Sequence, residues 1–343
     1  MTQKDYLKQL EEALDALDPQ DKDELMADFK EHFDIGLSEG KSEKDIIDSL
    51  GPVDDLVQSL DLKRLETQRQ DTHDFRKTFN TKIERVIIDG VHANVTIIAS
   101  QDDQTHIDYE VSKRILGKLS TDVTTRQEGN TLLVAVTNAN RLFWHNVDPI
   151  DLNLLLPKNL IELVCKTASG DIRIDDFVVE HLDIHSMSGD IGVDDLKAKA
   201  IKVVGVSSDI DFTKVTGDIQ IKTVSGDINI FEHVGDACNI ETVSGDIEYD
   251  GTAKQMRVNT TSGDGSLKAS DIEALNINTV SGDYELELDI ANKGFSIAFI
   301  SNSGSLSIGD AEYDTPRHNQ TITIGDGTSK VNLKSISGDF EIE

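Results

Sequence analysis

The sequence predicts a mainly β protein: a single-stranded parallel β-helix (a β-solenoid, right-handed) that follows a small N-terminal all-α domain. Three observations support this prediction. Ser-Gly-Asp triplets recur through the second half of the chain at a nearly constant spacing. Short segments beside each triplet alternate apolar and polar residues, which is the period of a β-strand. The first 60 or so residues instead place apolar residues at steps of three and four, the period of an amphipathic helix.

Residues 1–62 are predicted to form the helical domain. Ser42 stands three residues before Asp45, which is the spacing of a capping box at a helix N-terminus. Gly36 is a candidate helix terminator, because glycine readily adopts the backbone conformation that ends a helix. Gly51-Pro52 is expected to end the third helix and to start a fourth one.

The same region resembles a known helical module. The residues that carry the resemblance are the F-x-E-H-F segment Phe29–Phe33, the run GLSEGKSE at 36–43 and the closing Leu50-Gly51-Pro52. The segment is similar to the HAAS domain of bacterial proteins that are often encoded beside PadR-type regulators. The resemblance implies a role in signalling or regulation through a protein partner, with no chemistry assigned to the module.

Residues 63–82 lose the helical periodicity and are predicted to be a helical tail that becomes a linker. From residue 83 to residue 343 the period changes to two, so this region is predicted to be the β-solenoid domain, with the Ser-Gly-Asp repeats at about 169–343.

The repeat is the strongest pattern in the chain. The triplets begin at Ser169, Ser188, Ser225, Ser244, Ser262, Ser281 and Ser337, with variants at Ser207 and Ser303. Successive starts differ by 19, 19, 18, 19, 18, 19, 22 and 34 residues. So regular a spacing is typical of a repeat architecture in which each unit stacks on its neighbours.

Each unit is predicted to make one full coil, with coils about 4.8 Å apart. The glycine of the triplet would form a corner where φ is positive, and the aspartate would bond nearby backbone to hold the turn. The predicted corner glycines are Gly170, Gly189, Gly226, Gly245, Gly263, Gly282 and Gly338.

The end of the chain departs from the repeat. The polar, proline-containing insertion 310–319 is predicted to be a loop that leaves the solenoid. The chain then ends in the middle of the pattern, at Glu343. An open solenoid end exposes strand edges, so we expect it to be covered by the insertion, by the helical domain or by a second copy in a homo-oligomer.

The motif Thr-Val-Ser-Gly-Asp-Ile and close variants of it recur at Thr223–Ile228, Thr242–Ile247, Thr279–Tyr284 and the tail Ile336–Phe340. In these residues the region resembles the bacterial putative-adhesin family of unknown function that carries TVSGDI repeats. The resemblance implies a parallel β-helix and, for some members, a link to envelope-stress responses.

The composition limits the partners. The chain has 33 basic and 64 acidic residues, a net charge of −31, so binding to nucleic acid or to anionic lipid is disfavoured. No uncharged stretch of about 18 apolar residues is present, and no membrane span is predicted. Cys165 and Cys238 lack metal-ligand spacing and are expected to be buried reduced thiols. With no apolar export signal near Met1, we expect a cytoplasmic protein, the alternative being the cell surface by non-standard export.

No catalytic residue and no cofactor is predicted. The sequence contains none of the common fingerprints of hydrolases, metalloproteases or nucleotide-binding enzymes. His181 and His185 would lie about 13 Å apart on one strand, too far apart to share a metal.

One metal hypothesis remains. If the corners stack, Asp171, Asp190, Asp209, Asp227, Asp246 and Asp264 form a column of like charges about 4.8 Å apart. A bound calcium ion would relieve their repulsion, which is about 0.9 kcal/mol per neighbouring pair in water. Hydrogen bonds from backbone N–H groups to the carboxylates are the simpler alternative.

Three functions compete. The first is a non-catalytic regulatory or scaffolding protein of envelope-stress signalling, with a helical module that binds a partner and a solenoid that presents a recognition surface. The second is a surface adhesin or ligand-binding protein. The third is a glycan-active enzyme, which would need a carboxylate pair near the insertion at 311–320.

Overall fold

The structure is a computed structural model that describes residues 1–15, 19–38, 40–54, 75–79, 81–102, 104–110, 114–115, 118–119, 121–138, 150–158, 160–288, 294–313 and 320–343. The chain is mainly β and divides into two compact units. One unit contains the helices and the other contains most of the strands. No helix of the described residues is long and apolar enough to cross a membrane.

The helical unit contains three helices, α1 (Gln3–Ala13), α2 (Pro19–Ser38) and α3 (Glu43–Leu50). The predicted capping box at α3 is present: the Ser42 hydroxyl accepts from the backbone N–H of Asp45, and the Asp45 carboxylate accepts from the backbone N–H of Ser42. The three helices share one apolar core. Its buried members are Tyr6, Leu10, Leu14, Met26, Phe29, Phe33, Ile46, Ile47, Leu50 and Val53.

The role of Gly36 differs from the one predicted, and only the start of the predicted fourth helix is described. Gly36 does not end its helix, because α2 continues to Ser38. A Cβ at Gly36 would lie 2.7 Å from Cδ1 of Ile46, so this glycine lets α3 approach α2 closely. Of the predicted fourth helix, Val53 and Asp54 are helical, and the rest lies outside the described residues.

Twenty-five strands are described. The first nine are β1 (Phe75–Phe79), β2 (Arg85–Ala99), β3 (Thr105–Glu110), β4 (Arg114–Ile115), β5 (Lys118–Leu119), β6 (Thr121–Glu128), β7 (Thr131–Asn138), β8 (Ile150–Leu156) and β9 (Leu160–Ser169). The next eight are β10 (Ile172–Ser188), β11 (Ile191–Ser207), β12 (Ile210–Lys222), β13 (Ile228–Val234), β14 (Ala237–Glu241), β15 (Ile247–Thr252), β16 (Gln255–Asn259) and β17 (Gly265–Ser270). The last eight are β18 (Ala274–Asn278), β19 (Tyr284–Leu288), β20 (Phe295–Ile300), β21 (Leu306–Ile308), β22 (Ala311–Tyr313), β23 (Gln320–Ile324), β24 (Ser329–Lys334) and β25 (Phe340–Ile342).

Each repeat unit contributes to two parallel ladders. The first ladder follows the triplets and pairs Ile172, Ile191, Ile210, Ile228, Ile247, Gly265, Tyr284 and Phe340 in succession. The second ladder precedes the triplets and pairs Leu182, Ile201, Ile219, Cys238, Met256, Leu275 and Val331. These side chains are almost all buried, so equivalent apolar residues stack into a continuous core. The predicted solenoid-like stack is therefore present, and its handedness stays a prediction.

The start of the stack differs from the prediction. Residues 75–79, assigned to the linker, form β1, which pairs antiparallel with β3. The two segments around Val86 and Val95 form one strand, β2, whose first half lies between β7 and β9 and whose second half lies between β8 and β10. The antiparallel β1–β3–β8 layer covers this edge of the first ladder.

The order of coils at the other end is not the order of the chain. The last strands, β24 and β25, lie between the coil of β18 and β19 and the coil of β20 and β21. The expectation that the chain terminus forms the open end is therefore wrong. β20 and β21 pair in parallel with β24 and β25 on one side. On their other side they pair with antiparallel strands.

Those antiparallel strands belong to the insertion and its flank. Ala311–Tyr313, expected in a loop, forms β22 against β21, and β23 pairs with β20. Residues 314–319 of the predicted loop lie outside the described residues. Of the three covers expected for the solenoid end, the structure thus shows the one made by the insertion region.

Candidate recognition surface

The Thr-Val-Ser-Gly-Asp unit builds each corner from local hydrogen bonds. The buried hydroxyl of Thr223 donates to the carbonyl oxygen of Ser225 at 3.0 Å, and Thr242 donates to Ser244 at 3.0 Å. This bond closes the turn that carries the chain from the second ladder to the first. The serine hydroxyl then donates to the preceding coil, as Ser225 does to the carbonyl of Val206 at 3.3 Å.

Glycine is required at the corner for two reasons. Gly226 has φ of 112°, a conformation that other residues rarely adopt, and a Cβ there would lie 2.2 Å from the carbonyl oxygen of Ser208. Gly338 differs, because its φ lies outside this range and only the close approach to the carbonyl of Gly282, at 2.3 Å, excludes a side chain. The other predicted corner glycines share both features of Gly226: Gly170, Gly189, Gly245, Gly263 and Gly282.

The aspartates of the triplets form a hydrogen-bonded ladder between coils. Oδ1 of Asp227 accepts from the backbone N–H of Asp246 at 2.9 Å, and Oδ1 of Asp246 accepts from Asp264 at 2.9 Å. Asn94 supplies the amide oxygen at the start of the ladder, bonding the N–H of Asp171 at 3.1 Å. The same bond joins Asp171 to Asp190, Asp209 to Asp227, Asp264 to Asp283 and Asp283 to Asp339.

These bonds bear on the calcium hypothesis. Five of the six carboxylates in the predicted column accept a hydrogen bond from a backbone N–H of the next coil. These bonds are the simpler alternative to calcium for holding like charges in register. Among the described residues, no group of three or more Asp, Glu, His or Cys side chains is arranged to hold a metal ion. Calcium binding along the column stays a prediction without a geometric site.

In six coils the residue before the serine is apolar, and these six residues form a column that the sequence analysis did not single out. Their side chains are exposed by 41 % to 62 %, although all but Val206 follow a buried threonine or serine. We call this set the apolar column: Met187, Val206, Val224, Val243, Val280 and Ile336. Each member precedes the aspartate of its own coil by three residues. Its signal in the sequence was the repeated Val of TVSGD, at a position where a solvent-exposed corner would favour a polar residue.

An acidic groove lies on the outer surface of the first ladder. One wall is the aspartate column, and the other consists of outward-facing residues two positions later in each coil, among them Glu248, Glu285 and Glu341. The groove has a volume of about 740 Å³. Eight of its 16 lining residues are acidic and none is basic. Such a surface attracts cationic groups and repels anionic ones.

The outer surface of the second ladder has a different charge pattern. There, carboxylates have basic partners in the next coil, as in Lys222 with Glu241 at 2.6 Å and Lys202 with Asp183 at 3.7 Å. Amide side chains continue the pattern, and Asn278 donates to Asn259 at 2.8 Å. Unbalanced negative charge is therefore concentrated on the first ladder.

The repeat region that builds these corners matches a known protein family. The family described as Toastrack DUF4097 matches residues 151–249 and 233–343. This chain belongs to the Toastrack DUF4097 family. Its N-terminal residues 5–59 match the HAAS family, which confirms the predicted fusion.

Solved structures similar to this Toastrack chain have low sequence identity and TM-scores below 0.5. A putative adhesin from Bacteroides fragilis NCTC 9343 has 14 % identity and a TM-score of 0.42, over 80 % of this chain and 98 % of that chain. A putative adhesin from Parabacteroides distasonis ATCC 8503 has 14 % identity and a TM-score of 0.39 over 80 % and 98 %. A putative lipid binding protein from the same organism has 15 % identity and a TM-score of 0.37 over 80 % and 100 %. No curated protein matches this chain.

The stack of this Toastrack chain also contains a buried polar pair that sequence reasoning missed. His233 is 1 % exposed and occupies the core position that Val215 holds in the preceding coil. Its Nδ1 lies 2.9 Å from the hydroxyl of Tyr249 and its Nε2 lies 2.8 Å from the carbonyl oxygen of Gly217. Since a carbonyl can only accept, Nε2 carries the proton and Nδ1 accepts from the tyrosine. Burial lowers the pKa of His233 from its ordinary value and raises that of Tyr249.

The remaining candidate residues do not converge on a reaction centre. His185 lies 3.0 Å from Asp183 on the same strand, and among the described residues it belongs to no group of three or more possible metal ligands. Cys165 and Cys238 are free, buried core residues, and burial raises the pKa of each thiol to about 12. Such thiols are poor nucleophiles, because the reactive thiolate is scarce near neutral pH.

Proposed function

We propose that this protein is a non-catalytic regulatory or scaffolding protein of envelope-stress signalling. The helical module binds a protein partner, and the stack presents a recognition surface. The observation that carries the proposal is the apolar column beside the acidic groove. The apolar residues recur in six coils and the carboxylates in most of them, so together they offer a partner a long surface of regular spacing.

The composition of the surface defines the chemistry of its partner. Exposed valines at a corner gain free energy when another surface covers them, about 0.8 kcal/mol for each CH₂ group buried. The neighbouring carboxylates favour basic residues opposite them and disfavour acidic ones. The proposed partner of the stack is therefore a protein segment with alternating apolar and basic side chains.

The HAAS match supports a second binding function for the N-terminal unit. Its three helices share their own core, with Tyr6 bonded to the carbonyl of Gly51 at 2.9 Å, so the described part has the packing of a module. We expect residues 1–62 to carry the partner contacts of this module. The pairing of HAAS with the stack supports a protein that links two partners.

Two finer points of the architecture and location belong to the same proposal. We propose that the stack is a single-stranded, right-handed coil, in line with the preferred hand of parallel β connections. We also propose a cytoplasmic location, which the two free, buried cysteines support because reduced thiols persist in reducing compartments.

A photocrosslinking experiment tests the recognition surface. A photoreactive amino acid at Val224 is expected to trap a partner in the native cell. The same group at Gln220, exposed on the second ladder of the same coil, serves as the matched control. Adding Val206→Asp and Val243→Asp should abolish the Val224 crosslink. Equal crosslinking at both positions, or none at Val224, would contradict the proposed surface.

A separate experiment tests location. Native cells are fractionated and intact cells are treated with protease, with probes for both domains. A protected cytosolic protein supports the regulatory role and excludes the surface adhesin. Cleavage on intact cells would instead make the stack an exposed binding surface and contradict the proposed location.

A further inference from the structure

The outermost strand of the second ladder is an unprotected sheet edge. β23 pairs with β20 on one side, and its other side has no strand partner among the described residues. Its residues Thr321-Ile-Thr-Ile324 are β-branched and uncharged. An edge of this composition is a ready template for pairing with another strand.

Two other strands near the ends of the stack carry charged side chains that oppose such pairing. β1 exposes Arg76 and Lys77, and the Arg76 guanidinium forms an ion pair with Asp108 at 2.6 Å. β22 has three residues in the described part of the chain and exposes Glu312. Charged side chains and short length are the usual means by which proteins protect an edge. β23 has neither of these features.

The core-facing side chains of β23 are only partly covered. Ile322 pairs with Ile297 and faces the same side, but Ile297 is fully buried whereas Ile322 and Ile324 are half-buried. In the interior of the stack, each equivalent apolar residue has a neighbour in the coils on both sides. One more strand beyond β23 would give Ile322 the neighbour that it lacks.

We propose that this strand is β23 of a second copy of the chain, paired antiparallel across a two-fold axis. A strand can pair antiparallel with its own copy when the two-fold axis lies midway between the two copies of one residue. With the axis at Ile322, the two Ile322 side chains face each other, and Thr321 faces Thr323 of the other copy. The buried core of the second ladder then runs continuously from one stack into the other.

The charges near this edge permit two copies to approach. Outward positions on β23, β20 and β24 include Thr321, Ser296, Lys330 and Lys334, and none of these strands has a carboxylate. The acidic groove lies on the first ladder instead. The net charge of −31 therefore acts mainly from other surfaces and is screened by salt over about 8 Å at physiological ionic strength. This inference does not depend on the proposed function.

The test uses the register of the paired strands. Directly opposed residues of an antiparallel pair have Cα atoms about 4.5–5.5 Å apart, which a disulfide can bridge. With an added oxidant, the full-length Ile322→Cys variant is expected to form a covalent dimer. The Thr321→Cys variant alone should not, because its opposite residue is Thr323. An equimolar mixture of Thr321→Cys and Thr323→Cys chains should crosslink again. The native Cys165 and Cys238 are buried and do not interfere.

Sedimentation equilibrium gives an independent measure without cysteine. The unaltered protein is expected to have twice the chain mass, and Ile322→Lys should reduce it to one chain mass because two charges would meet at the axis. Ile98→Lys, at an isoleucine that is 38 % exposed within the stack, is the matched control and should remain dimeric. A single chain mass for the unaltered protein, or equal crosslinking at residues 321 and 322, would overturn the proposal.

Discussion

Oδ1 of Asp246 accepts a hydrogen bond from the backbone N–H of Asp264, one coil further along the stack, at 2.9 Å. The two residues belong to neighbouring Ser-Gly-Asp triplets, so the aspartate of one repeat holds the backbone of the next. This explains why the repeat keeps a hydrogen-bond acceptor at this position, although neighbouring carboxylates repel each other.

The first prediction concerns that bond. Asp246→Ala should destabilise the protein by about 1–2 kcal/mol, because it leaves the N–H of Asp264 without its acceptor. Asp246→Asn should stay within about 0.5 kcal/mol of the original, because an amide oxygen can accept the same bond, as Asn94 does for Asp171. Urea unfolding measures both. Equal stability losses would mean that the carboxylate charge, and not the acceptor, is what matters.

The second prediction concerns the corner glycine. Gly226→Ala should cost several kcal/mol, at least the ~1–3 kcal/mol of a strained backbone, because the new Cβ also meets the carbonyl of Ser208. Gly192→Ala is the matched control in the same stack. Its φ is not positive and its nearest neighbour is the Cγ of Arg173 at 4.0 Å, so the change should be neutral or slightly stabilising. Thermal unfolding of both variants checks this, and comparable losses would refute the corner requirement.

The third prediction concerns pH. The folded pKa of His233 lies below its ordinary value of 6.5, since burial disfavours the charged ring. The unfolded chain therefore binds this proton more readily than the folded chain does. Stability should be complete above pH 6.5 and should fall as the pH decreases through 6.5 towards the folded pKa.

The matched variant for this prediction is His233→Leu combined with Tyr249→Phe, which removes both partners of the buried pair. Its unfolding free energy should change less between pH 7.5 and pH 5.5 than that of the unaltered protein. Asp218 is the charged neighbour that favours the protonated ring, and it remains in both proteins. Identical pH profiles would show that His233 does not titrate on unfolding.

The fourth prediction concerns the order of coils. Deleting residues 329–343 removes β24 and β25, the parallel neighbours of β20 and β21. Amide hydrogen exchange should then show lost protection at residues 295–313 as well as at the edge of β18 and β19. If the coils were stacked in chain order, the truncated protein would keep β20 and β21 protected, and the observed arrangement would be wrong.

Much of the fold could be read from local pattern. The 18–19-residue period fixed two ladders of stacked apolar residues, and the spacing of Ser42 and Asp45 located the cap of α3. The identity of a single residue predicted its role less well where contacts with distant residues determine that role. Gly36 reads as a terminator, yet it is a contact point for Ile46, and nothing in the local sequence of His233 marks it as a core residue.

The recognition surface shows the same division. The corner glycines and the aspartate column could be named from the sequence, because the triplet repeats. The sequence analysis did not predict the exposure of the apolar column, since valine in an alternating segment normally faces a core. Its outward position follows from the turn that Thr223 and Ser225 close, which is a feature of three-dimensional geometry.

By itself, the sequence determined that this chain has a helical HAAS domain and a stack of Ser-Gly-Asp coils, because both depend on short periods that neighbouring residues encode. Only the tertiary structure decided which coils are neighbours at the end of the stack. β24 pairs with both β18 and β20, and so places the C-terminal coil inside the stack. All parallel coils have nearly the same local pattern, so the repeat itself does not specify their order, which is decided by pairing between strands distant in sequence.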